Sequence, residues 1–253
     1  MGAFAYSDSP YPIRADLCKE YRLAWQRIAE PGTWWSGAQR VDIAAETRVA
    51  VSCEYCRERK AALSPYALKG AHQHSAEARG ELSDVVIDAI HRIVTDSSRL
   101  SKLFVEKAGE GGLSEEQYVE MVGVVVLVLS IDEFHRGLGL ELEPLPEPVG
   151  GEPSRYRPAQ EQLDTNTGYV AMLNGDGAVG QESDLWRPGE WANVLRALTL
   201  VPNAYREWRA VGDVQYLSGR QIMDYQGDTG RALDRMQIEL VAGRVSSVNE
   251  CFY

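Results

Sequence analysis

The chain has 253 residues, of which 37 are Asp or Glu and 26 are Lys or Arg, giving a formal net charge of −11. That length accommodates one large domain or two modest ones with a sizeable core. The acidic balance, with no basic stripe, disfavours a nucleic-acid or anionic-membrane surface, where affinity comes from clustered cations.

Residues 1–17, MGAFAYSDSPYPIRADL, lack the cationic and then apolar order of a secretory signal. In the first helical run, Leu17, Tyr21, Ala24 and Ile28 recur at three- and four-residue spacing, and Pro31-Gly32 stops it. A second run from about Ala38 puts Ile43, Thr47, Ala50 and Val51 on one face and leads into Cys53 and Cys56. The stretch ELSDVVIDAIHRIVTD predicts a third helix. The stretch LSEEQYVEMVGVVVLVLSIDEFHRGL predicts another, opened by Ser114 and Gln117 in the capping-box spacing. Its apolar run, 121–131, is short of the roughly 20 residues that cross a bilayer and reads as a buried helix. A cytoplasmic protein without membrane contact is expected. Residues 143–185 are rich in Pro, Gly and acid, the composition of an irregular connector, and NGDGAVGQESD within them lacks the oxygen ligands of a calcium loop. Helical spacing resumes in WANVLRALTLVPNAYREW and again from about Ala232. Few windows alternate with period two, so the expected class is all-α: a helical domain at 1–142, a connector at 143–185 and a partial second lobe at 186–253.

Four cysteines, at 18, 53, 56 and 251, are too few and too scattered for a disulfide framework. Cys53 and Cys56, three apart, share one helix face and are close enough for a short disulfide ring. With Ser52 as N-cap, Cys53 falls in the first turn, where unpaired N–H groups and the helix dipole stabilise a thiolate. Arg57 and Lys60, each four residues past a cysteine, add cations. Such a thiolate attacks a peroxide or a disulfide, and its neighbour resolves the product. A zinc site using His72 and His74 is the rival reading, but its spacing follows no common finger or ribbon pattern, so no metal or cofactor is expected. His91 and His135 read as packing or capping histidines, Asp132 and His135 as an i, i+3 pair, and Cys18 as a core residue.

The ends of the two helical regions also match. IELVAGRVSSVNECFY aligns with RVDIAAETRVAVSCEY when Cys251 is laid on Cys53, which suggests an internal duplication. Ending at Tyr253, the chain stops one residue short of a second Cys-x-x-Cys. An expression boundary, an unfinished gene model, a nonsense codon and an unread selenocysteine codon are all open explanations, the last because a selenol ionises well below neutral pH.

The stretches WWSGAQRVDIAAETRVAVSCEYCRERKAAL and LSEEQYVEMVGVVVLVLSIDEFHRGLGL together resemble the alkylhydroperoxidase D-like family of the carboxymuconolactone decarboxylase superfamily. The resemblance covers roughly residues 15–142 and returns from about 190. It implies a helical bundle, a homo-oligomer and a peroxidase in which Cys56 attacks and Cys53 resolves, whereas the helix argument places the thiolate at Cys53. It also implies a relay glutamate twelve residues before the first cysteine and a histidine four after the second. Those positions hold Val41, with Asp42 and Glu46 only nearby, and Lys60; a further relay position holds Tyr55. Glu239 occupies the glutamate position relative to Cys251, so Glu239 and Cys251 are expected to form the better-equipped second site. The resulting expectation is a thiol-dependent peroxidase or disulfide oxidoreductase, acting on a small hydroperoxide or a disulfide with an external thiol donor. The alternatives are a helical oligomerisation scaffold that has lost its relay, or a structural zinc site at Cys53 and Cys56.

Overall fold

The computed structural model describes residues 6–249 and 251. Its first half is six helices: α1 (Ala15–Ala29), α2 (Gly37–Ala50), α3 (Glu54–Ala61), α4 (Asp84–Asp96), α5 (Lys102–Glu110) and α6 (Glu115–Leu138). After a long irregular segment come α7 (Asn193–Arg196), α8 (Pro202–Gln215), α9 (Gly219–Met223) and α10 (Arg235–Val248). The all-α class expected from periodicity is what the chain adopts. The exception among the described residues is a two-residue antiparallel ladder, β1 (Leu163–Asp164) with β2 (Met172–Leu173), in which Leu163 faces Leu173. No helix among the described residues is long and apolar enough to cross a membrane.

Local chemistry fixes the ends of the two central helices. At α2 the Ser36 hydroxyl accepts the Gln39 N–H, and the Gln39 side chain accepts the Ser36 N–H. Ser114 and Gln117 repeat that reciprocal box at α6, as their spacing predicted. Helix α6 ends at Gly139, whose φ of 70° is left-handed and free of Cβ strain.

Helix α2 is the axis of the domain. Small residues, Ala44 and Ala45, let it pack against α1, α4 and α6, and residues 40–47 are all buried. Ile28, Ile43, Ile90, Met121, Leu127 and Ile131 fill the space between these helices. Burying α2 on all sides carries Asp42 and Glu46 into the interior, where each carboxylate must find donors.

Proline and glycine keep 143–185 from forming long elements, yet its apolar residues still pack: Leu173 and Leu185, with the adjoining Trp186, gather on Tyr205 of α8. The Val149 N–H donates to Ala29 O and the Arg155 N–H to Thr33 O, each at 2.8 Å. Helix α8 lies against α1 and α6, and its Val211 belongs to the central core. A Cβ built on Gly123 of α6 would lie 3.0 Å from the Ala204 Cβ of α8. Gly123→Leu is therefore expected to force these helices apart and to destabilise the fold by about 1–3 kcal/mol, read as a lowered urea midpoint. An unchanged midpoint would show that the α6–α8 contact is slack.

Candidate functional site

The helix that carries the Cys-x-x-Cys begins one residue later than expected. The Ser52 N–H bonds back to Val49 O (3.1 Å) and the Cys53 N–H to Ala50 O (3.2 Å), so both residues are used in the turn that ends α2. Cys53, with φ −64° and ψ 117°, is itself the N-cap of α3, and Cys56 is the third helical residue. Cys53 thus caps the helix and Cys56 lies in its first turn, so both sulfurs stand at the N-terminal end of α3.

Two histidines converge on these sulfurs. Cys56 Sγ lies 3.3 Å from His72 Nδ1 and 3.3 Å from His91 Nδ1, while Cys53 Sγ lies 3.9 Å from the same His72 nitrogen. Each imidazole turns its other nitrogen to a carboxylate: His72 Nε2 is 3.0 Å from Asp88 Oδ1, and His91 Nε2 is 3.4 Å from Glu46 Oε2. Helix α4 supplies Asp88 and His91, α2 supplies Glu46, and the irregular segment after α3 supplies His72. That segment is pinned by α2. The Ser75 N–H donates to Glu46 (3.2 Å), and the Arg79 and Glu81 N–H groups donate to Asp42 (2.9 and 3.0 Å). Tyr55 packs edge-on against the His72 ring, and Arg59 donates to Asp88 at 2.7 Å.

These contacts set the charges. Burial pushes the Cys56 thiol up, but the bonds from His72 and His91 outweigh it and bring its pKa down to about 6. Burial likewise opposes charge on the rings. For His72 the bonds to Asp88 and Cys56 win and raise it to about 10; for His91 those to Cys56 and Glu46 raise it to about 9. Cys53 is also lowered, its burial being outweighed by backbone N–H groups and His72. Carboxylate, imidazolium and thiolate therefore alternate through the site.

Cys53 and Cys56 are each 2% exposed. An open cavity of about 680 Å³ reaches Cys53 and is lined by Ser52, Arg57, Lys60 and Ile93, by Val248 of α10 and by Asn249, which caps that helix. Arg57 and Lys60 stand on this cavity wall, with Arg57 paired to Glu54 at 2.9 Å, and the cations that touch the sulfurs are the imidazoles.

The remaining candidates lie elsewhere. Glu239 pairs with Arg235 at 2.7 Å on a partly exposed face of α10, and Cys251 is exposed. The reading of a half-motif after Cys251 falls on 252–253, outside the described residues. Asp132 acts on His135 through its charge. Its carboxylate crosses to Arg48, while His135 meets the Tyr6 hydroxyl at 3.1 Å and Glu141 O at 2.6 Å. Cys18 packs against the core.

Sequence reasoning set aside His91 as a packing residue and passed over Asp88. Both stand on α4 at i and i+3, facing the segment that carries His72, and that spacing was the available signal. No protein-family model, curated protein or solved structure matches the chain.

Proposed function

We propose that the chain is a thiol-dependent peroxidase, similar in its chemistry to the alkylhydroperoxidase D-like proteins its sequence resembles. The observation that carries this reading is Cys56 Sγ held at 3.3 Å by two imidazoles, with the second thiol one helical turn away. The relay that the linear motif lacks is supplied by Glu46 and His91, which come from separate helices.

In the first step the Cys56 thiolate attacks the terminal oxygen of a hydroperoxide. The O–O bond breaks, an S–O bond forms, and the departing alkoxide takes a proton from the imidazolium at His91 or His72. Cys53 then attacks the sulfenic acid, water leaves, and a Cys53–Cys56 disulfide remains. A dithiol donor returns the pair to thiols. Because the cavity meets the pair beside Cys53 and both sulfurs are buried, a small hydroperoxide suits the access better than a disulfide on a folded protein.

Reduced, chelator-treated protein given one equivalent of hydroperoxide is expected to lose two thiols and to yield a Cys53–Cys56 disulfide on peptide mapping. The depressed thiol is ionised above about pH 6, so the rate should fall as the pH drops through that value, stay flat from neutrality to about pH 9, and fall again as the proton-donating imidazolium ions are lost. An ordinary thiol, with its pKa at 9.0, would still be gaining rate well above neutrality. Thiols unchanged at millimolar oxidant would overturn the reading and leave the helical scaffold.

A further inference from the structure

We propose that Cys53, Cys56, His72 and His91 together bind one zinc(II) ion. One ligand atom from each of these four residues, a sulfur or a ring nitrogen, lies within 4.8 Å of the other three. Zinc bonds of about 2.3 Å to sulfur and 2.0 Å to nitrogen, arranged tetrahedrally, put sulfur and nitrogen about 3.5 Å apart. Three of the four separations between these sulfurs and nitrogens, 3.3, 3.3 and 3.9 Å, bracket that value.

The outer contacts point the same way. Both rings present Nδ1 to the sulfurs and Nε2 to a carboxylate, the arrangement that fixes the tautomer and raises the basicity of a metal-bound histidine. Hydrogen bonding alone accounts less well for the pair of rings, whose centroids are 4.2 Å apart. As two imidazolium ions they repel; as neutral ligands on a cation they do not. Two thiolates and two imidazoles suit zinc and exclude calcium and magnesium, which take oxygen ligands. Four protein donors in a buried site complete the tetrahedron, which marks a closed site and not a hydrolytic centre with a bound water.

Binding does not depend on the peroxidase reading, but it competes with it. A sulfur coordinated to zinc is no longer a free thiolate, so loaded protein should resist oxidation.

The test uses full-length, reduced protein stripped with a chelator and titrated with zinc against a chromophoric chelator, with cobalt(II) as a spectroscopic stand-in. The expected result is one ion per chain, a cobalt spectrum with the intense visible bands of a tetrahedral site, and thiolate-to-metal charge transfer that is weakened in Cys53→Ser and lost when Cys56→Ser is added. Asp88→Asn, which leaves all four ligands in place, should weaken zinc about 10–100-fold through His72. Helix content by circular dichroism separates a lost ligand from a lost fold. Absence of stoichiometric binding, an octahedral cobalt spectrum, or unchanged affinity in folded His72→Ala and His91→Ala would overturn the proposal. Hydroperoxide consumption by the metal-free protein is scored separately: turnover without zinc binding sinks only the metal site, and zinc binding without turnover sinks only the peroxidase.

Discussion

Cys56→Ser is expected to lower the rate of hydroperoxide consumption by more than about 1000-fold, because loss of the attacking group removes the covalent step itself. A serine hydroxyl stays protonated between the same two imidazoles, so the charge that makes Cys56 reactive has no counterpart. Cys53→Ser should behave differently. The first step survives, and with no resolving thiol the sulfenic acid on Cys56 persists and can be captured by a carbon nucleophile and located by mass spectrometry. Single-turnover kinetics on the two variants assign the roles. If Cys53→Ser abolishes the first step and Cys56→Ser yields a trapped sulfenic acid, attack and resolution are reversed.

Asp132→Ala should destabilise the fold by about 3 kcal/mol, since removing one partner of a buried ion pair leaves the other charge uncompensated. The Asp132 side chain is 1% exposed. It accepts Arg48 Nε and Nη2 at 2.8 Å each, and the same guanidinium lies over the Trp25 ring at 5.1 Å. One side chain of α2 thus ties α1 to α6. Arg48 is 15% exposed, so water reaches part of the stranded charge, which holds the expected loss to the lower end of the range. Urea denaturation reads it directly, and a midpoint shift equivalent to less than about 1 kcal/mol would place the pair among the weak surface bridges.

Much of the helical pattern was legible because it depends on local signals. The box at Ser114, the stop at Pro31-Gly32 and the apolar faces of α1, α4 and α6 need only neighbours in sequence. Short α5 and α9 escaped, and so did the break at Pro202, where proline starts α8 and ends the run before it. The thiols could be read, but their setting could not. Glu46, His72, Asp88 and His91 span 45 residues of chain, and only the packing of α4 on α2 brings them to Cys56. A relay sought at fixed offsets from a Cys-x-x-Cys is invisible when its members arrive from other elements. The shift of the N-cap from Ser52 to Cys53 was equally hidden, because it depends on how far α2 continues.

Helix α10 resembles α2 in sequence but lives in the opposite environment. Only Arg235 and Ile238 are buried among its 14 residues, while Met236, Leu240, Val241, Val245 and Val248 are exposed. An isolated helix of that length is marginal in water, so its order depends on the Asp234–Gln237 box and on Arg235, which donates to the carbonyls of Gln221 and Ile222. All of those restraints act at its first turn, whereas Val248 and the capping Asn249 at its far end line the cavity that reaches Cys53. Glu46 and His91 thus stand on the deeply packed α2 and α4, while part of the cavity wall belongs to a helix that buries nothing beyond Ile238.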